Sequence, residues 1–181
     1  MIWQRISLVW LVLAGLLTQS SGGADAPTSF LVGGYSFKRP EKWVWVEPTS
    51  AMRKATLKVP SADGKETAEV VFFHFGPGNG GGTKANVDRW LSQFQEGRDN
   101  IQAKVEESKI AGKAVTYVQA QGTYLSGMPG GPKTPLPGTM LKGAILEGDE
   151  GSVFVRMTGP IKLVAASEAA FKGLIESPLK K

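Results

Sequence analysis

The sequence predicts an α+β domain: an antiparallel β-sheet with helices packed on it. Three observations lead there. Short runs rich in β-branched and aromatic residues, bounded by glycine, proline and asparagine, recur along the chain. Segments beginning near residues 83 and 161 switch to helical spacing of their apolar residues. The resulting order is several strands, a helix, four strands and a helix, with short turns between neighbouring strands, which favours hairpins over the crossovers of a parallel sheet.

Residues 1–24 read as a secretory signal peptide, with Arg5 as a short positive start, an apolar core at 8–17, and a small-residue cleavage zone ending in Gly22, Gly23 and Ala24. That core is well short of the roughly 20 residues that span a bilayer. Export to the periplasm or the extracellular space is therefore expected, with no membrane insertion after cleavage. Removing 24 of 181 residues leaves 157, enough for a single domain over 25–181 with a real core. The chain has no cysteine, so it holds no disulfide and no thiolate metal ligand. The formal net charge of +5 falls to +4 once Arg5 is lost with the leader, and the basic residues are scattered. Nucleic-acid binding would need a basic stripe interleaved with stacking aromatics, and none is present.

The first expected strand covers 35–39 and breaks at Pro40. A second extended piece at 43–46 stops before Pro48, because proline lacks an N–H and restricts the residue before it. Trp43 and Trp45 would share one face of that piece, either covering core or, if exposed, forming a platform for stacking a sugar. Residues 55–60 alternate apolar and polar as a half-buried strand does, and 61–65 form its turn. Residues 68–75 do not alternate: Val70, Val71, Phe72 and Phe73 follow one another, so both faces are covered and the strand is central.

The loop at 76–82 carries five glycines and leads into a helix for which Thr83 is the candidate N-cap. Val87, Trp90, Leu91 and Phe94 make its apolar stripe, leaving Asp88, Arg89 and Gln93 nearer solvent. Residues 103–110 and 113–124 make a long hairpin around Ala111 and Gly112. Residues 126–138 hold four prolines and four glycines and read as a surface loop, since neither helix nor ladder survives that composition. A second hairpin joins 139–146 to 152–157. Pro160 then opens a last helix with Ile161, Val164, Phe171, Leu174 and Ile175 as its apolar positions.

A strand, a glycine loop and a helix N-terminus together offer free N–H groups and a positive dipole end, the physical recipe for an anion site. The candidate binding residues are accordingly Gly78, Asn79, Gly80, Gly81, Gly82, Thr83, Lys84 and Arg89, with His74 at the strand end beside them. A nucleotide-binding P-loop requires glycine, lysine and then a hydroxyl in direct succession; here Thr83 separates Gly82 from Lys84, and Ala85 stands where the hydroxyl belongs. His74 is the only histidine, so no zinc site of ordinary composition is expected, nor any cofactor. No catalytic residue is assigned. The alternative is a small hydrolase acting on an anionic or sugar substrate, pairing His74 with Glu147 or Asp149.

Phe37-x-x-Pro40-x-x-Trp43, Asn86-x-x-Arg89-Trp90 and Phe171-x-x-x-Ile175-x-Ser177, in this element order, resemble exported bacterial proteins of unknown function whose fold is similar to that of the PsbP-like family. The resemblance implies an α/β/α sandwich and a non-catalytic accessory or binding role. Photosynthetic members assist the oxygen-evolving centre, and a distant nuclear-transport relative binds a small GTPase. No residues here match either activity. The proline-rich segment departs from the family pattern. The expectation is an exported, monomeric, non-catalytic accessory or binding domain whose partner is an unknown protein or a small anionic ligand.

Overall fold

A computed structural model of the chain describes residues 26–127 and 130–180. The leader expected at 1–24 lies outside them, as do Met128, Pro129 and Lys181. The elements run β1 (Ser29–Val32), β2 (Tyr35–Lys38), β3 (Val44–Val46), β4 (Arg53–Pro60), β5 (Thr67–His74), α1 (Thr83–Leu91), β6 (Lys104–Ile110), β7 (Lys113–Ser126), β8 (Thr134–Leu146), β9 (Val153–Pro160), α2 (Ile161–Ala166) and α3 (Glu168–Glu176). Strands β3 to β9 form one sheet in the order β3-β4-β5-β9-β8-β7-β6, antiparallel throughout, and β1 and β2 form a separate hairpin.

Both faces of the sheet are covered. On one, Leu57, Val70, Phe72, Ala144, Leu146, Val155 and Met157 pack with Leu163, Val164, Phe171, Leu174 and Ile175 of the C-terminal helices and with Val32 and Phe37 of the β1–β2 hairpin. On the other, Val118, Ala120, Leu141, Ile145 and Phe154 meet Val87, Trp90 and Leu91 of α1, joined by Phe94 and Ile101. The unbroken apolar run of β5 follows from this: Val70, Val71 and Phe72 are all buried because each face of an interior strand is a core face. At the edge, β6 carries Lys104, Glu106, Glu107 and Lys109 along an exposed strand, and its turn places Ala111 and Gly112 at φ 48 and 84.

Three expectations change. Residues 29–32, which carry no strand signal beyond Phe30, Leu31 and Val32, pair with β2 as β1. The segment 126–138 is not all loop: Tyr124, Leu125 and Ser126 pair with Leu136, Pro135 and Thr134. Pro135 and Pro137 are tolerated because β9 ends at Pro160 opposite Thr139, leaving β8 overhanging with an open edge that needs no N–H there. The last helix is two helices, broken at Ser167, whose hydroxyl donates to the Leu163 carbonyl at 2.8 Å and competes with the helical backbone pattern. Of the two readings of Trp43 and Trp45, core covering holds: Trp43 is buried just before β3, and the half-buried Trp45 packs against the same core and donates its indole N–H to Glu47 at 2.7 Å, so the pair forms no exposed stacking platform.

Beyond α1 the chain docks on β7 rather than continuing as helix. Phe94 pairs with Tyr124, and Gln95 N–H donates to Thr123 O at 2.9 Å. Glu96 completes the junction: both its carboxylate oxygens accept the Thr123 N–H, at 3.0 and 2.9 Å. Those hydrogen bonds, from the Thr123 backbone first and its side chain second, hold the Glu96 carboxyl below its ordinary value of 4.5. A depressed folded-state value contributes stability above the unfolded pKa, and that contribution is lost as pH falls through the folded value. Glu96→Gln should therefore be less stable than wild type at neutral pH, with the gap in urea midpoint closing as pH drops from about 5 to about 3. A gap independent of pH would show that the carboxylate charge is not what holds this junction.

Candidate functional site

The glycine loop is organised by a residue that follows it. Asn86, one turn into α1, is 1% exposed, and its Nδ2 donates to Gly80 O at 2.8 Å and Gly82 O at 3.0 Å. Its Oδ1 accepts from Arg89 Nη2. The loop is thereby tied to the helix it precedes, and Arg89 is spent on that tie. Gly80 has a further reason to be glycine: its φ is 88, and a Cβ would stand 2.8 Å from Phe75 and 3.0 Å from Phe154.

Asn79, Thr83 and Lys84 stand around the same helix start, each with a side-chain partner inside the protein. The N-cap is Gly82 rather than Thr83 and makes no side-chain cap; the Thr83 hydroxyl instead donates to Glu147 Oε1 at 2.9 Å. Asn79 bonds back to Pro77 O at 3.2 Å. Lys84 pairs with Asp88 at 2.5 Å, and Arg98 reaches the same carboxylate at 2.9 Å. The Lys84 and Arg98 hydrogen bonds hold the Asp88 carboxyl below its ordinary range. Glu147 brings the protein's own negative charge to the helix start, where an incoming anion would compete with it.

His74 sits at the end of β5 with Nε2 at 2.9 Å from the main-chain oxygen of Glu150, and its Cδ2 edge lies where a Cβ on Gly33 would be only 2.7 Å away. Among the described residues no carboxylate pairs with it. Asp149 is bound to Lys113 at 2.9 Å and Glu147 to Thr83, so the acid–base pair of a hydrolase is not assembled here. Among the described residues, no group of three His, Cys, Asp or Glu side chains could hold a metal ion.

A different site lies on the other face of the sheet, between β6, β7, β8 and α3. Strand β8 reads Leu141-Lys142-Gly143-Ala144-Ile145-Leu146, every residue buried, with one charge in the run. Lys142 faces the same side as Met140 and Ala144 and stands opposite Gln119. Its side chain is 8% exposed, and Nζ donates to Gln119 Oε1 at 2.6 Å and pairs with Glu168 Oε1 at 3.0 Å. A buried ammonium is tolerated only when paired and hydrogen-bonded. The Glu168 side chain, by contrast, is 65% exposed at the start of α3.

A cavity of about 90 Å3 opens beside Lys142, with Lys104, Glu106, Tyr117 and Gln119 on the sheet side and Glu168, Phe171 and Lys172 on the helix side. The three helix residues fall at i, i+3 and i+4, so one stripe of α3 supplies them. Lys104 and Glu106 pair along the β6 edge at 2.7 Å. That hydrogen bond lowers the Glu106 carboxyl first, and the charges of Lys172 and Lys142 lower it further, so cations from three elements converge on this space. Lys172 Nζ lies 6.0 Å from the Tyr117 ring centre, and burial and then the Glu176 charge raise the Tyr117 hydroxyl. The clue in the sequence was Lys142 itself, a lone charge inside an apolar strand, but its partners lie 23 residues before and 26 after it.

A larger groove of about 590 Å3 runs beneath the overhanging ends of β7 and β8, past Lys58, Glu69, Tyr124, Leu136, Pro137 and Thr158. Tyr124 is buried and the other five are half-buried or exposed. Beside it the Tyr124 hydroxyl and Arg156 Nη1 both donate to Gln93 Oε1, at 3.0 and 2.7 Å.

Among the described residues no helix is long and apolar enough to cross a membrane. No family model matches the chain, and no curated protein matches it. Among solved structures it is similar to the solution structure of cyanobacterial PsbP (CyanoP) from Synechocystis sp. PCC 6803, at 14% identity and a TM-score of 0.48, covering 88% of this chain and 96% of that one. It is also similar to the crystal structure of PA94, a protein of unknown function from Pseudomonas aeruginosa, at 14% identity and a TM-score of 0.48, covering 85% of this chain and 96% of that one.

Proposed function

We propose that the protein is an exported, monomeric, non-catalytic binding domain that holds a small anionic ligand in the cavity at Lys142. One observation carries the reading: an ammonium planted on an interior strand, 8% exposed, at the wall of a cavity rimmed by Lys104 and Lys172. Burying a lysine costs several kcal/mol unless its charge is answered, so the fold keeps here a group that apolar packing alone would replace. The glycine loop supports the reading by contrast, because its residues serve one another and the α1 start. The leader motivates export, and the engaged ring of His74 favours binding over turnover.

The purified protein should be screened by thermal shift against short carboxylates, inorganic phosphate, sulfated and acidic sugars and nucleotides, in wild type and Lys142→Gln. A ligand at a hundred times its dissociation constant adds about 2.7 kcal/mol of stability, readily visible as a rise in Tm. The expected result is a rise in wild type that is lost in Lys142→Gln. A rise that survives Lys142→Gln and disappears with Lys84→Ala would return the site to the glycine loop. A turnover abolished by His74→Ala would overturn the non-catalytic reading.

A further inference from the structure

We propose that the Lys142 cavity takes a small monocarboxylate, and that Glu168 is its built-in competitor, occupying Lys142 until the ligand's carboxylate replaces it. This rests on the binding reading above and names the ligand class of the same site.

The resting contacts show what the site accepts. Lys142 Nζ already holds one carboxylate oxygen at 3.0 Å, contributed by a side chain that is 65% exposed and so returns to water at little cost. A ligand carboxylate placed there inherits the Lys142 hydrogen bond. It also finds the Gln119 amide N–H2, which has no acceptor among the described residues, its oxygen being taken by Lys142 at 2.6 Å. The rest of the ligand meets the Tyr117 ring and buried Phe171, an apolar wall suited to a short hydrocarbon or small ring. The cavity of about 90 Å3 is several times the space one water occupies, which sets the ligand at up to about six to nine heavy atoms, or the end of a longer chain.

Charge selects against phosphate and sulfate dianions. Glu106 stands in the wall, bound to Lys104 at 2.7 Å, and Glu168 remains at the rim after displacement. A second negative charge on the ligand would lie against both, whereas a single carboxylate exchanges one for one with that of Glu168.

The test is an NMR titration of the full protein with acetate, butyrate, benzoate and inorganic phosphate, followed at Tyr117, Gln119 and Phe171, in wild type, Glu168→Gln and Lys142→Met. A carboxylate is expected to shift these signals. Glu168→Gln removes a competing charge-assisted contact and should tighten carboxylate binding by about five- to tenfold, while Lys142→Met should weaken it at least about tenfold. Glu168→Gln leaves Lys142 an amide oxygen in the same place and its Gln119 hydrogen bond, so the ammonium stays hydrogen-bonded and the test stands even if Lys142→Met does not fold. Unchanged or weaker carboxylate binding in Glu168→Gln would overturn the competitor role. If phosphate shifts these residues and no carboxylate does, the ligand class fails while the binding reading survives. If none of the four probes shifts them, both fail.

Discussion

Asn86→Ala is expected to lower the unfolding free energy by about 2 to 3 kcal/mol, a fall in Tm of roughly 5 to 10 °C for a domain of this size. The side chain is 1% exposed and makes three contacts that alanine cannot: donation to Gly80 O at 2.8 Å, donation to Gly82 O at 3.0 Å, and acceptance from Arg89. Gly82 O keeps the Asn86 backbone N–H at 3.2 Å, so the orphaned group is Gly80 O. The near-isosteric Asn86→Asp should fare no better at neutral pH. It keeps the acceptor for Arg89 but turns carboxylate oxygen toward two carbonyls in a buried place. Urea unfolding gives the loss, and amide exchange over 76–82 locates it: exchange there should quicken far more than in β7 or β8. A loss below about 1 kcal/mol with unchanged loop exchange would mean that the glycines hold their conformation unaided.

The loop shows which properties of this protein were legible in its sequence. Strands β4, β5, β7, β8 and β9 declare themselves through β-branched runs whose period reports how many faces are covered, and the stripe of Val87, Trp90 and Leu91 declares α1. Those are local signals. Phe94 fits the same stripe yet lies beyond the helix, because pairing with Tyr124, a contact 30 residues away, replaces the next helical turn. Prolines reported correctly that a ladder is disfavoured, but not that β8 overhangs β9 and leaves an edge where their missing N–H is harmless. Ser167 resembled any polar helix residue until its hydroxyl met the carbonyl of Leu163.

The same division applies to the site. Glycines mark where a backbone takes unusual angles, not what that backbone is for. Thr83, Lys84 and Arg89 do lie around one helix start, while His74 faces the β1–β2 hairpin on the other side of the sheet, and the partners Glu147, Asp88, Asn86 and Glu150 decide what each is free to do. The Lys142 cavity needs Lys104 from β6, Gln119 from β7 and Glu168 from α3. No spacing rule joins those residues; only the antiparallel order of the sheet and the helix laid over it bring them together.

Gly143→Ala is expected to cost about 2 to 3 kcal/mol, toward the upper end of overpacking penalties. The reason is not backbone conformation but contact: a Cβ at this position would stand 2.3 Å from Trp90 Cζ3 and 2.7 Å from Cε3. Neither side yields easily, since Trp90 is 3% exposed beneath α1 and Gly143 is fixed in register between Val118 and Arg156. Trp90→Ala should cost more, about 3 to 5 kcal/mol, by emptying the space the ring fills. Trp90→Leu leaves part of that space open beside Gly143, where the new methyl group can sit. The double variant Gly143→Ala/Trp90→Leu should therefore lose less than the sum of its two singles, with a coupling of at least about 1 kcal/mol in a urea double-mutant cycle. Strict additivity would mean that something other than the ring demands a glycine here. The cycle also reaches the other face, because Lys142 precedes Gly143 and points into the cavity beneath α3. If the added methyl displaces β8 away from α1, the ammonium moves with the strand; ligand binding should weaken in Gly143→Ala and recover in the double variant, coupling the two layers through one strand.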